Sequence, residues 1–322
     1  MNPTPQLVLD YFIPKKIVGD DPMTEDEVEA SEAAELALLI RNEEYGDAKN
    51  LKITTKQPEI VDNRDGLLID FAITGGAVNG KPVGLTEDEE LVSDFGTLKA
   101  GSAAYAQWWL TSTLLGRITK YDVSYFHETG YGNENLSLLN AVNAHSLVRS
   151  IKKDMSLFGF LTDDEETSEY HFYGADGSVE DVQRVDDIDV TKKNQYSYIV
   201  RFVATESGYI YGYIQDPTDG EGKLKGGNLI DYWRESVRFS DEAPARWMKA
   251  PAMHEKTIHF VCRVPKANQA YELTLDLDDP ESINSVVISS EKDEWFTLSG
   301  LRVSKPNAKG VYIHNGRKVL VK

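Results

Sequence analysis

Apolar and polar residues alternate with a period of two along much of the chain. Leu273, Leu275 and Leu277 alternate with Glu272, Thr274, Asp276 and Asp278, as in a strand with one buried and one wetted face. Ile258, Phe260, Cys262 and Val264 form a second such row, and Leu67, Ile69, Phe71 and Ile73 a third. Residues 121–127, 196–204 and 209–214 are further strand candidates. The run Leu36-Ala37-Leu38-Leu39-Ile40 is apolar throughout, which suits a strand buried on both faces. Thr24 and Glu27 before it have capping-box spacing, but that acidic stretch lacks an apolar stripe and is expected to be a loop. One short helix is expected within residues 136–151, where Leu139, Val142 and Leu147 fall near one side.

Turn residues punctuate these rows. Asp176-Gly177 separates residues 170–173 from 179–182, and Asn315-Gly316 separates 311–314 from 318–321. Both read as hairpins, since Asn-Gly and Asp-Gly tolerate the positive φ that tight turns demand. Acidic runs at Asp163-Asp164-Glu165-Glu166 and Asp186-Asp187-Ile188-Asp189 mark a connecting stretch. The expected fold class is all-β. Residues 1–151 and 194–285 would form two immunoglobulin-like β-sandwich domains, 152–193 an acidic connecting hairpin and 286–322 a β-rich tail. There is no internal repeat, and no strand, glycine-rich loop and helix in succession for a nucleotide.

Charge narrows the partners. The 322 residues hold 34 Lys and Arg against 53 Asp and Glu, a net −19. No basic surplus exists to replace phosphate counterions, so nucleic acid is not an expected partner, nor is an anionic membrane surface. No apolar run approaches the ~20 residues that span a bilayer as a helix. One cysteine, Cys262, rules out an internal disulfide framework and sits in a core row where a thiol is inert. The start, Met1-Asn2-Pro3-Thr4-Pro5, has neither the charged nor the apolar part of an export signal. A cytoplasmic protein fits, as does a piece of an exported one whose signal lies outside this chain.

Familiar chemical motifs fail. His254-Glu255 is followed by His259, five residues on, whereas a zinc-protease helix sets its histidines four apart. No serine stands between glycines as in a nucleophile elbow. With 53 acids, chance carboxylate pairs are expected, and their spacing in space is not visible in a sequence. The loop beginning at Asp216, with Asp219 and Glu221, offers oxygen ligands for calcium. Its twelfth position is Gly227, so it is no EF-hand, and a surface turn is the alternative. Tyr209, Tyr211 and Tyr213 project from one side of a strand, opposite Ile210 and Ile214. They suit a platform for sugar rings or a protein partner, or equally a cover over the sheet. Trp108 and Trp109 point to opposite faces if extended, so one belongs to the core.

ELALLIRNEEYGDAKNLKI at residues 35–53, with Asn42, Gly46, Ala48 and Asn50, resembles the opening strands of CARDB-type immunoglobulin-like domains. DFGTLKAGSAAYAQWWL at 94–110, turning at Gly101, resembles a later part of that fold. More broadly, residues 7–151, then 209–229 and 233–260, resemble successive modules of large secreted multidomain Bacteroidetes proteins. The tail EWFTLSGLRVSKPNAKGVYIHNGRKVLVK, through Leu298, Gly300, Val303, Gly310-Val311-Tyr312, Gly316 and Lys318, resembles the C-terminal sorting tails of exported proteins of those bacteria. These resemblances imply a secreted or cell-surface location and a spacing, adhesion or binding role toward a protein or glycan, without turnover. They imply no catalytic residue, and they add no cofactor to the calcium that the Asp216 loop offers ligands for. An alternative is an accessory region of a surface glycoside hydrolase or peptidase, its catalytic domain upstream. Another is a hydrolase in its own right with paired acids.

Overall fold

A computed structural model describes residues 4–20, 31–55, 70–84, 91–114, 116–117, 138–151, 158–164, 167–219, 223–227, 231–238, 254–278, 295–297, 302–303, 310–314 and 317–321. Among them there are strands and turns but no helix, so no helix long and apolar enough to cross a membrane. The first strands are β1 (Leu7–Pro14), β2 (Lys16–Ile17), β3 (Ala34–Asn42), β4 (Ala48–Thr55), β5 (Phe71–Val78), β6 (Lys81–Val83), β7 (Leu91–Leu98), β8 (Ala103–Ser112) and β9 (Gly116–Arg117). There follow β10 (Leu139–Ile151), β11 (Gly159–Asp164), β12 (Glu169–Gly174), β13 (Val179–Val185), β14 (Ile188–Asn194), β15 (Ser197–Ala204) and β16 (Gly208–Gln215). The last are β17 (Lys223–Gly227), β18 (Asp231–Arg238), β19 (His254–Val264), β20 (Gln269–Asp278), β21 (Trp295–Thr297), β22 (Arg302–Val303), β23 (Gly310–His314) and β24 (Arg317–Val321).

Twelve of these strands form one sheet, in the order β18-β19-β16-β13-β12-β11-β10-β1-β3-β8-β5-β6. Two of its pairings, β1 with β10 and β13 with β16, are parallel. Hydrogen bonding is continuous across the expected divisions at 151/152 and 193/194, because β10 pairs with β11 and β13 with β16. Strands β21 to β24 pair with one another in a separate small sheet.

Two smaller sheets cover the long one. Strands β4 and β7 lie over Leu7, Leu9, Leu36, Leu38, Ile40 and Trp108. The sheet β14-β15-β20-β17 lies over Ile210, Ile214, Ile258, Phe260, Cys262 and Val264, which meet Val200, Phe202, Leu273, Leu275 and Leu277. Residues opposite one another in a sheet share a face. Following the registers from β1 across to β16 puts the two cover sheets on opposite faces of the long sheet, at opposite ends. The two remaining quadrants hold buried clusters rich in aromatic rings: Phe12, Tyr105, Phe160 and Tyr173 in one, Phe172, Tyr209 and Tyr211 in the other.

The alternating rows at 258–264 and 273–277 form strands, with Leu36–Ile40 buried on both faces of β3. The hairpin at Asp176-Gly177 joins β12 to β13, with Gly177 at φ 89°. β23 and β24 pair with His314 opposite Arg317, the register of a two-residue turn; residues 315–316 themselves lie outside the described residues, as do 67, 69 and the candidate strand at 121–127. Trp108 is fully buried and Trp109 partly so. The helix expected within 136–151 is corrected. Residues 139–151 form β10, a thirteen-residue central strand between β1 and β11. Its period is disguised because the polar Asn143 and His145 face buried Asp10, and because the register slips between Leu147 and Arg149.

Candidate functional site

Both faces of the three tyrosines of β16 are flanked by side chains on neighbouring strands. Tyr209 lies between Phe172, ring centroids 4.6 Å apart, and the Arg263 guanidinium 5.3 Å from its ring. Tyr211 lies between Tyr170 at 5.0 Å and His259 at 6.0 Å. Tyr213 lies between Arg184 at 5.3 Å and His259 at 5.2 Å. These are cross-strand rungs, the contacts through which one sheet face holds itself together. Tyr209 and Tyr211 are buried and only Tyr213, 42% exposed, reaches solvent. An open platform of three stacked rings is therefore replaced by a packed layer with one exposed ring edge. Burial pushes the Tyr209 hydroxyl up, reinforced by Glu180 and opposed by Arg263.

The layer continues into a polar chain. The Tyr211 hydroxyl is 2.8 Å from His259 Nδ1, and Thr257 Oγ1 is 2.8 Å from His259 Nε2. Thr257 and His259 stand two apart on β19, hence on one face, and both are buried.

The Asp216 loop is a turn. Asp216 Oδ1 accepts from the Thr218 amide at 2.9 Å and from the Thr218 hydroxyl at 2.7 Å, an arrangement in which the aspartate side chain mimics a backbone turn. Asp219 takes a left-handed φ of 51° and its carbonyl accepts from Lys256 Nζ at 2.8 Å. Glu221 lies outside the described residues. No group of three or more His, Cys, Asp or Glu side chains placed to hold a metal occurs among the described residues.

Next to this turn the layer formed by β14-β15-β20-β17 on the long sheet is open at its side. The β13–β16 pairing stops at Val185 opposite Gly212, and the chain crosses from there to β14. The gap leaves an open cleft of about 370 Å³, with Ile188, Val190 and Lys192 of β14 on one wall and Tyr213, Gln215 and Pro217 on the other. Ile188, Val190 and Lys192 share a face because they alternate along β14. Val190 is 37% exposed, an apolar side chain turned into the cleft mouth. Asp186 also lines the cleft and accepts from Arg184 Nε at 2.7 Å.

The most connected buried charge lies in the other half. Asp10 is 1% exposed. Its Oδ1 accepts from Asn143 Nδ2 at 2.8 Å and lies 3.0 Å from His145 Nε2, while its Oδ2 accepts from Arg41 Nε at 3.0 Å. Burial works to raise this carboxyl, but the bonds from His145 and Asn143 and the charge of Arg41 outweigh it, and the net shift is downward. Tyr173 stands over His145, rings 4.7 Å apart, with its hydroxyl 3.5 Å from Nδ1. Burial and the Asp10 charge push the Tyr173 hydroxyl up, so it keeps its proton at neutral pH. What the cluster does is clamp β1, β3 and β10 together. Sequence reading missed it because Asp10 and His145 are 135 positions apart, and nothing in either neighbourhood marks the other.

No family model matches the chain, and no curated protein does. Among solved structures, similarity is found to a two-domain M1 zinc metallopeptidase, an E323A mutant bound to L-arginine, at 9% identity and a TM-score of 0.18. The match covers 85% of this chain and 42% of that one, so this chain spans less than half of its length. A likeness at that score carries no argument about fold or chemistry.

Proposed function

We propose that this chain is a non-catalytic, binding part of an exported or cell-surface bacterial protein, and that it holds a protein ligand at the cleft between β14 and β16. The cleft is the observation that carries this reading. It combines an apolar wall, the half-buried Ile188 and the exposed Val190, with Lys192, Tyr213 and Gln215, the mixture of apolar anchor and placed polar groups that binding sites use. Both ring faces of Tyr213 are taken by Arg184 and His259, so the ring is not free to stack on a sugar, which favours a protein segment over a glycan. Location at the surface rests on the resemblance of residues 7–151 to CARDB-type modules and of the tail to sorting tails. The experiment is a binding screen of the chain against surface proteins and glycans, with and without calcium. A saturable protein ligand supports the reading. A glycan ligand would move it to a lectin-like role, and calcium dependence would give the Asp216 turn a part in it.

A further inference from the structure

Among the described residues, strand β14 is the outermost strand of its sheet and pairs on one side only, with β15. Six of its seven residues are exposed, and it contains neither proline nor glycine. A strand edge of this kind presents backbone N–H and C=O groups to any strand that can lie beside it. Charged side chains on an edge ordinarily repel foreign strands. Here their spacing matches one partner.

We propose that this edge pairs with the same edge of a second copy of the chain, antiparallel and centred on Thr191. In a two-fold pairing centred there, Thr191 faces Thr191, Asp189 faces Lys193 on both sides of the axis, and Val190 faces Lys192. Opposite charges directly across a strand pair stabilise it and like charges oppose it. The apolar Val190, 37% exposed, comes to lie beside the aliphatic stem of Lys192 from the other copy. Centring one residue later would set Lys192 against Lys192. Centring one residue earlier would set Asp189 against Thr191 and Val190 against Val190, leaving Asp187, just outside the strand, as the acid opposite Lys193. The slip in the β14–β15 register between Lys192 and Asn194 falls at the end of the edge and makes Lys193 the extra residue there, with no β15 residue opposite it. Asp189 is near Arg201, 3.8 Å away, and is 72% exposed, so it remains accessible to a second charge. The pairing is isologous and closes at two copies. One strand edge buries less than a standard interface, so the dimer is weak and depends on concentration. This inference does not rest on what the cleft binds.

The test is sedimentation equilibrium on the full chain over a wide concentration range, on wild type, Asp189→Lys, Lys193→Asp and the double exchange. Wild type is expected to move from 36.1 kDa toward twice that mass. Each single exchange, which puts like charges opposite at both symmetric positions, should weaken association roughly tenfold, and the double exchange should restore it. Both positions of this cycle are exposed side chains, and circular dichroism checks that each variant is folded. A wild type that stays monomeric throughout overturns the inference, including one that is monomeric while a foreign extended peptide occupies the edge. So does an association constant that is the same in all four proteins.

Discussion

The Tyr211 hydroxyl and His259 Nδ1 lie 2.8 Å apart across β16 and β19, inside the buried face of the long sheet. With Thr257 at 2.8 Å from the other ring nitrogen, both polar edges of the imidazole are engaged. In the neutral ring one of these nitrogens donates and the other accepts. Removing the tyrosine hydroxyl leaves a buried ring nitrogen without that partner, which costs about 1–3 kcal/mol. We predict that Tyr211→Phe lowers the unfolding free energy by that amount in urea titrations. Tyr213→Phe, at an exposed position, should change it by less than about 0.5 kcal/mol.

Asp10 predicts an acid-labile N-terminal half. Its folded carboxyl titrates below the ordinary 3.8, held down by His145, Asn143 and Arg41 against the opposing effect of burial. A depressed folded value stabilises the fold above the unfolded value, and that contribution is lost as pH falls through the folded value. Urea midpoints should therefore fall as the pH drops below about 4, through the depressed folded value. Asp10→Asn should flatten that window, and at pH 7 it should cost about 3 kcal/mol or more, because Arg41 loses its buried partner.

Cys262 should be silent in the folded protein. Burial alone pushes its thiol up to about 12, and the thiolate is the reactive form. We expect no reaction with a disulfide reagent under native conditions at pH 8, and one equivalent of reaction in denaturant. Fast native labelling would mean that the core under β15 and β20 opens.

Gly212 lies between Val185 and Phe260 on the face of the long sheet that the β14-β15-β20-β17 sheet covers. A Cβ there would lie 2.7 Å from Phe260 Cζ, 2.9 Å from Val185 Cγ2 and 3.0 Å from Ile188 Cδ1. Overpacking of this kind costs about 1–3 kcal/mol. Gly212→Ala should lower thermal stability accordingly, and because Ile188 lines the cleft it should also weaken ligand binding there.

How much of this was legible in the sequence depends on where the partner residues sit. Leu273, Leu275 and Leu277 read as a strand because each polar neighbour faces out. β10 did not, because its polar Asn143 and His145 face inward onto Asp10, a contact made between strands far apart in the chain. Asn79-Gly80 carries the same hairpin signal as Asn315-Gly316 and makes the tight turn between β5 and β6, with φ of 48° and 75°; it was there to be read. The three tyrosines were visible as a row. The burial of Tyr209 and Tyr211 was not, since Phe172, Arg263 and Tyr170 come beside them only through the pairing of β12, β13, β16 and β19. The cleft was illegible for the same reason: it exists where a pairing stops.

The most direct test of the binding role uses Val190→Glu, which puts a charge on the apolar wall of the cleft without touching the core. Wild type and variant are compared in the same titration against whichever surface protein the screen returns. We predict saturable binding by wild type, weakened at least tenfold in the variant with its melting temperature unchanged. Equal binding by the two proteins, or no saturable protein ligand at all, would contradict a binding role for the cleft.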